Sequence, residues 1–281
     1  MGLCDWLESG VLDREIALYK YYLNKEYIKS IIFFSYSSSD LEILKKLQKK
    51  DSFFRHVNVV VKPDYLVGRL GNYIFSVLGP ILRMKTLQNY DIHKSNQTDG
   101  AWAALIGART VGKYFYFRSG YCLSKFRNFQ GKNKILIKFT EILERVLFKN
   151  SDFCSVSSTA DLDVFISYGS TNKKIALSRN YVDIKKFRSK RKFKDRCQAV
   201  VFVGRMSEQK NIYNLATACK NVNLPLHLYG SFSEKNTLRD LRKILGDNLR
   251  IHERISHSEL PKILNKYKFF ALASLYEGSP K

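Results

Sequence analysis

Val201-Phe202-Val203-Gly204-Arg205-Met206-Ser207-Glu208-Gln209-Lys210-Asn211 changes character within a few residues. The apolar run from Ala199 to Val203 has the length and side chains of a buried strand. It ends in Gly204, where a missing Cβ lets a ligand approach the backbone. Arg205 follows on the loop, and Lys210 stands at the start of an expected helix, Asn211 to Val222. Both cations and the positive end of that helix can converge on one anion. A pyrophosphate suits them, since Arg offers a planar fork and Lys a point charge. The same spacing also describes two ordinary surface cations in a chain rich in both residue types.

Downstream the alternation continues. Leu224 to Tyr229 reads as a strand, Glu234 to Leu245 as a helix, and Leu249 to His252 as a strand. A helix is expected over Ser258 to Tyr267, with Ser256 and Glu259 forming a capping box. Lys268 to Ser274 is the last expected strand. Glu277 and Gly278 lie in the loop after it, a carboxylate beside a residue that frees backbone amides. That pairing suits recognition of sugar hydroxyls, and equally a solvated loop.

Upstream, strands are expected at Ile31 to Tyr36, Val57 to Lys62, Asp91 to Ser95, Lys113 to Arg118, Phe153 to Ser157 and Lys174 to Ser178. Amphipathic stretches such as Gly100 to Thr110 and Asn133 to Lys149 separate them. Such alternation argues for an α/β protein with mainly parallel, helix-covered sheets. The pattern pauses over the polar, basic segment Asp183 to Arg196. Two doubly wound halves are therefore expected, 1–187 and 188–281, and ligand contacts should fall in the loops beyond the carboxyl ends of their strands.

The 281 residues suffice for two such domains, and 45% hydrophobic with 14% aromatic content excludes disorder. No apolar run approaches the roughly 18 to 20 residues of a membrane-spanning helix. Asp5 and Glu8 break any signal-peptide pattern at the start. Cys4, Cys122, Cys154, Cys197 and Cys219 are scattered and odd in number, which argues against a disulfide framework or a zinc site and for a reducing compartment. The net charge of +23 fits a solvated lysine-rich surface, a phosphate-bearing substrate, an anionic membrane face or nucleic acid. The last is disfavoured because no compact basic module is visible.

The order of pieces from Val201 to Lys281 resembles the retaining GT-B glycosyltransferases of family four, the glycosyl transferases group 1. Val203-Gly204-Arg205-Met206-Ser207-Glu208-Gln209-Lys210-Asn211 is similar to that family's donor-phosphate loop, and Leu228-Tyr229-Gly230-Ser231 to its next glycine-rich turn. Ala273-Ser274-Leu275-Tyr276-Glu277-Gly278-Ser279-Pro280-Lys281 resembles the opening of its motif of two glutamates separated by seven residues. The resemblance implies two Rossmann-like domains facing a central cleft, the C-terminal one incomplete, with the second glutamate expected beyond Lys281. It assigns Arg205 and Lys210 to the leaving diphosphate and Glu277 to the transferred sugar. Gly204, Gly230, Ser231 and Gly278 would line the nucleotide-sugar.

In the N-terminal half the resemblance continues more faintly. Trp6 to Gly10 and Arg14 to Tyr19 are similar to the loop and helix after the family's first strand, which has no counterpart here. Lys94 to Trp102 and Phe117 to Tyr121 are similar to acceptor-side loops, pointing to Asn96, Arg118 and Gly120. Asn180-Tyr181-Val182-Asp183 with Phe187 resembles the turn entering the interdomain linker. Ser119-Gly120 replaces the His-Gly or His-Asp of many members, so no histidine takes a catalytic role. His56, His93, His227, His252 and His257 are read as structural or solvated. The implied function is transfer of a sugar from a nucleotide-sugar to an acceptor hydroxyl with retention, in cell-surface polysaccharide or glycolipid synthesis. No metal or cofactor is implied; a sugar or lipid-linked sugar is the acceptor, and the protein is cytoplasmic or peripheral at the inner membrane face. A nucleotide-sugar epimerase, a glucan phosphorylase, a silent fragment and a basic binding protein remain as other readings.

Overall fold

The computed structural model describes residues 2–169, 175–232 and 237–277. The chain divides into two compact units, Met1–Tyr181 and Val182–Glu277.

The first unit runs α1 (Leu3–Glu8), α2 (Leu12–Asn24), β1 (Ile31–Ser35), α3 (Asp40–Lys50), β2 (Val57–Val61), α4 (Gly68–Leu82), α5 (Met84–Leu87), β3 (Ile92–Lys94), α6 (Ala101–Val111), β4 (Tyr114–Ser119), α7 (Leu123–Phe129), α8 (Lys134–Lys149), β5 (Phe153–Val156), α9 (Thr159–Ser167) and β6 (Ile175–Leu177). The strands form two parallel sheets, β1-β2 and β3-β4-β5-β6. Parallel pairing follows from the helix inserted between successive strands. Phe115 and Phe117 of β4 pack on Leu147 and Phe148 of α8 and Phe165 of α9, all fully buried. Each such side chain contributes about 1.5 to 3 kcal/mol by leaving water. A second cluster gathers Leu3, Trp6, Ile16, Phe53, Phe54 and Val57. Asp40 is buried beneath α1 and accepts from the amides of Leu3 and Cys4, each at 2.7 Å, so a carboxylate supplies the orphan donors of that short helix.

The second unit runs β7 (Cys197–Val203), α10 (Ile212–Asn221), β8 (Leu226–Tyr229), α11 (Thr237–Leu245), β9 (Leu249–His252), α12 (Leu260–Leu264) and β10 (Tyr267–Phe270). Its sheet is parallel, in the order β10-β7-β8-β9. One face buries Val200, Phe202, Leu226, Leu228 and Leu241, the other Ala199, Val201, Tyr229 and Tyr267. Burial on both faces explains why β7 reads as an unbroken apolar run. The chain steps outward from β7 to β9, then returns to the opposite side of β7. The switch in direction therefore lies between β7 and β10, and the crevice for a ligand is expected there.

Three local expectations are corrected. The last strand ends at Phe270, not Ser274: the Ala271 amide still reaches Val201 O at 3.1 Å, but the following residues leave the sheet for the loop after β7. The helix expected over 258–267 shrinks to Leu260–Leu264. The Ser256 amide does bond the Glu259 carboxylate at 3.0 Å, yet the Ser256 hydroxyl donates to the same oxygen instead of capping a helix amide. Asn265 closes that helix by turning its side chain to the basic segment, donating to Arg188 O at 2.9 Å and accepting from the Lys190 amide at 2.8 Å. Finally, Lys210 precedes the helix it was expected to begin. Glu208–Lys210 is a 3-10 turn, and Asn211 adopts φ 52° before α10 starts at Ile212. The first residues of the helix expected from Glu234, and Lys174 of the expected strand 174–178, lie outside the described residues.

Candidate functional site

At the carboxyl edge of the second sheet, Val203, Tyr229 and His252 stand in one register row. The chain leaves β7 at Gly204, with φ 156°, and leaves β8 at Gly230, with φ 142°. A Cβ on Gly230 would lie 2.0 Å from the carbonyl oxygen of Gly204, so the two exit loops touch backbone to backbone and Gly230 admits no side chain. They continue together, with the Met206 amide bonding Ser231 O at 2.9 Å. Met206 is buried while Arg205 is exposed, its guanidinium making no hydrogen bond or ion pair among the described residues. The loop after β7 is thus anchored by one residue and offers a free cation at the next.

The loop after β10 is laced to the same place. The Leu275 amide donates to Gln209 O and the Gln209 side chain to Tyr276 O, both at 2.9 Å. Lys210 Nζ donates to Glu277 Oε1 in an ion pair whose side chains are about one-fifth exposed, 20% and 22%. Two residues 67 apart in sequence therefore meet at the switch point, with Arg205 on the same loop as Lys210. The Ser274 hydroxyl is buried there without a partner among the described residues, a polar group available to a ligand or water. Gly204, Gly230 and Ser231 edge the same crevice; Gly278 lies outside the described residues. Chemically, this edge presents one free guanidinium, one ammonium shared with a carboxylate, and the start of α10.

In the first unit, Asn96, Arg118 and Gly120 occupy the exits of β3 and β4. Lys94 Nζ donates to Asn96 Oδ1 at 2.9 Å and to Tyr19 Oη at 2.8 Å, and lies 5.0 Å from the Tyr19 ring centroid. Arg118 donates to Asn180 Oδ1 at 3.2 Å. Gly120 is covered by Gln97, whose amide would sit 2.9 Å from an added Cβ. The sequence reading did not single out Lys94 or Gln97.

It also passed over Glu144, which is fully buried on α8. Its carboxylate accepts from the Leu123 amide at 2.6 Å, Ser124 Oγ at 2.7 Å and Tyr168 Oη at 3.2 Å. Glu144 thereby ties down the start of α7, just after Gly120. A signal was present: Glu144 falls in register with Thr140, Leu147 and Phe148 on the buried face. An Asp-x-Asp, Asp161 and Asp163, opens α9, where Asp161 accepts from the Cys122 amide at 3.1 Å and from the Ser158 hydroxyl at 2.7 Å.

The most displaced histidine is structural. His227 Nδ1 lies 2.9 Å from both His252 Nε2 and Tyr267 Oη, and Tyr267 Oη lies 2.9 Å from Tyr229 Oη. Burial, then the charges of His252 and Arg250, pull His227 from its ordinary 6.5 to about 4. Between those values the unfolded chain binds the extra proton, so stability is lost as pH falls from about 6.5 toward 4. Urea midpoints should fall over that range and fall less steeply in His227→Phe; equal slopes would remove His227 from the account.

Residues 183–280 match the model of the family described as Glycosyl transferases group 1. No curated protein matches the chain in sequence. Among solved structures it is similar to Anabaena HepE in complex with UDP, with TM-score 0.62 and 15% identity over 89% of this chain and 75% of that one. Sucrose-phosphate synthase from Thermosynechococcus elongatus aligns with TM-score 0.64 and 14% identity, covering 89% and 76%. The lipopolysaccharide outer core galactosyltransferase WaaB aligns with TM-score 0.59 and 15% identity over the same shares. The chain thus has the GT-B fold, and its residues 183–280 are similar to the glycosyl transferases group 1 family.

Proposed function

We propose that the chain moves a sugar from a nucleotide-sugar to an acceptor hydroxyl, with retention at the anomeric carbon and without a metal. The observation that carries this reading is the meeting of Lys210 and Glu277 on loops laced together at the switch point between β7 and β10, with Arg205 exposed on the loop that carries Lys210. The bond from the anomeric carbon to the diphosphate oxygen breaks, and a bond to the acceptor oxygen forms. The acceptor proton leaves with the diphosphate. Negative charge grows on the departing oxygen, where Arg205, Lys210 and the start of α10 stabilise it. Lys210 is held by Glu277 until a diphosphate competes for it, and Glu277 is then placed for the sugar hydroxyls. Gly204, Gly230, Ser231 and Gly278 give the donor access to backbone amides, and Asn96, Arg118 and Gly120 serve the acceptor. The acceptor is a cell-surface polysaccharide or lipid-linked sugar. Support comes from the family match over 183–280 and from HepE, whose structures hold UDP, UDP and glucose, or UDP-glucose.

A thermal-shift series with UDP, GDP, ADP and their sugars tests the donor site. Ligand at a hundred times its Kd adds about 2.7 kcal/mol of stability, enough to raise Tm by several degrees. One nucleoside diphosphate should stand out, and its sugar should be consumed in the presence of acceptor. If none shifts Tm and no donor is consumed, the reading fails.

A further inference from the structure

We propose that the outer face of α8 is a docking surface for an anionic lipid bilayer. The inner face of this helix, Thr140, Glu144, Leu147 and Phe148, is buried. Its opposite face carries Ile135, Phe139, Ile142 and Val146, a single stripe at helical spacing that is open to water, with Ile135 79% and Phe139 62% exposed. Apolar side chains of this size rarely line up on a surface without a partner.

The charges around the stripe select the partner. Lys132, Lys134, Lys138, Arg145 and Lys149 are all exposed, and the segment's acids are Glu141 and the buried Glu144. Glu141 lies 3.8 Å from Lys138, and the Arg145 guanidinium rests over the Tyr168 ring. A second copy of this chain would bring a matching ring of cations and be repelled. An anionic headgroup layer complements the cations while its acyl boundary takes the Ile and Phe side chains, the arrangement of a helix lying in the membrane interface. No helix of the described residues is long and apolar enough to cross a membrane, so the contact is with one leaflet. Glu144 on the inner face holds the loop that carries Gly120, so docking would bring the exit of β4 close to the lipid surface. The docking claim stands independently of sugar transfer, because its readout is lipid binding alone.

The test is sedimentation of the full chain with phosphatidylcholine vesicles and with vesicles also containing phosphatidylglycerol. Binding should require the anionic lipid and weaken as salt is raised. The exposed pair Ile135→Ser/Phe139→Ser should reduce binding by about tenfold or more while the melting curve is retained. Lys134→Glu/Lys138→Glu should do likewise. Lys49→Glu/Lys50→Glu on α3, with the same net charge, should bind as the parent does. Three results would each overturn the proposal: equal binding to both vesicle types, equal loss in the two charge variants, or a self-associating chain that ignores vesicles and becomes monomeric in the Ile135/Phe139 variant.

Discussion

Arg205→Ala slows sugar transfer roughly ten- to a hundredfold or more, and leaves the melting temperature of the protein where it was. The first half follows from the strength of a charge-assisted contact, about 1.5 to 3 kcal/mol, against 1.36 kcal/mol for each tenfold in rate. The second half follows from the structure: the guanidinium is exposed and bonds nothing among the described residues, while the neighbouring Met206 anchors the loop. The loss should appear in kcat as well as kcat/KM, because negative charge on the departing diphosphate is greatest in the transition state. Lys210→Ala should lower turnover to a similar degree, but through two effects. It removes a cation from the diphosphate and also leaves Glu277 unpaired in a partly covered loop. Glu277→Gln separates them, since Lys210 then keeps its position for the phosphate while the sugar loses a carboxylate. Steady-state kinetics on the three variants decide the matter. Parent-like turnover of both Arg205→Ala and Lys210→Ala would remove the donor-phosphate assignment.

Much of the fold was legible because buried parallel strands write themselves as continuous apolar runs. Ala199 to Val203 is such a run, and Val57 to Val61, Phe153 to Val156 and Leu249 to His252, though interrupted by Asn58, Ser155 and Arg250, also fall within a residue of expectation. What could not be read was fixed by contacts distant in sequence. β10 stops early because the loop after β7 offers Leu275 a carbonyl at Gln209, and nothing in Ala271 to Ser274 announces that partner. The helix over 258–267 is short because Asn265 spends its side chain on Arg188 and Lys190. The candidate residues Arg205, Lys210 and Glu277 were visible as residue types in suitable loops, yet the Lys210–Glu277 pairing was not. The pause Asn211 makes before α10 was equally hidden, since an asparagine gives no sign of whether it will take a positive φ. Glu144 shows a different failure: its register with Thr140, Leu147 and Phe148 places it on the buried face of α8, but only the three-dimensional path of Leu123, Ser124 and Tyr168 shows which donors it accepts from.

Glu144→Ala therefore destabilises the first unit by about 2 to 5 kcal/mol, the range for truncating a buried side chain to alanine together with the donors it leaves unpaired. The carboxylate is fully buried, and its donors include the Leu123 amide and Ser124 hydroxyl at the start of α7, the Tyr168 hydroxyl beyond α9, and more distantly Thr98 Oγ1 at 3.4 Å and Cys122 Sγ at 3.5 Å. Truncation leaves the Leu123 amide without its partner and opens a cavity beside Leu147 and Phe148. Glu144→Gln should cost less, about 1 to 3 kcal/mol, because one oxygen can still accept from Leu123 while the new amide must face hydroxyls that can turn to accept. The measurement is equilibrium urea unfolding followed by a probe in the first unit. If Glu144→Ala unfolds at the parent's midpoint, the buried network holds nothing together. The order Ala below Gln below parent would show that the acceptor itself, beyond the volume of the side chain, keeps the exit of β4 in place. Arg205→Ala, predicted to lose rate without stability, and Glu144→Ala, predicted to lose stability first, then separate the chemistry of the second unit from the architecture of the first.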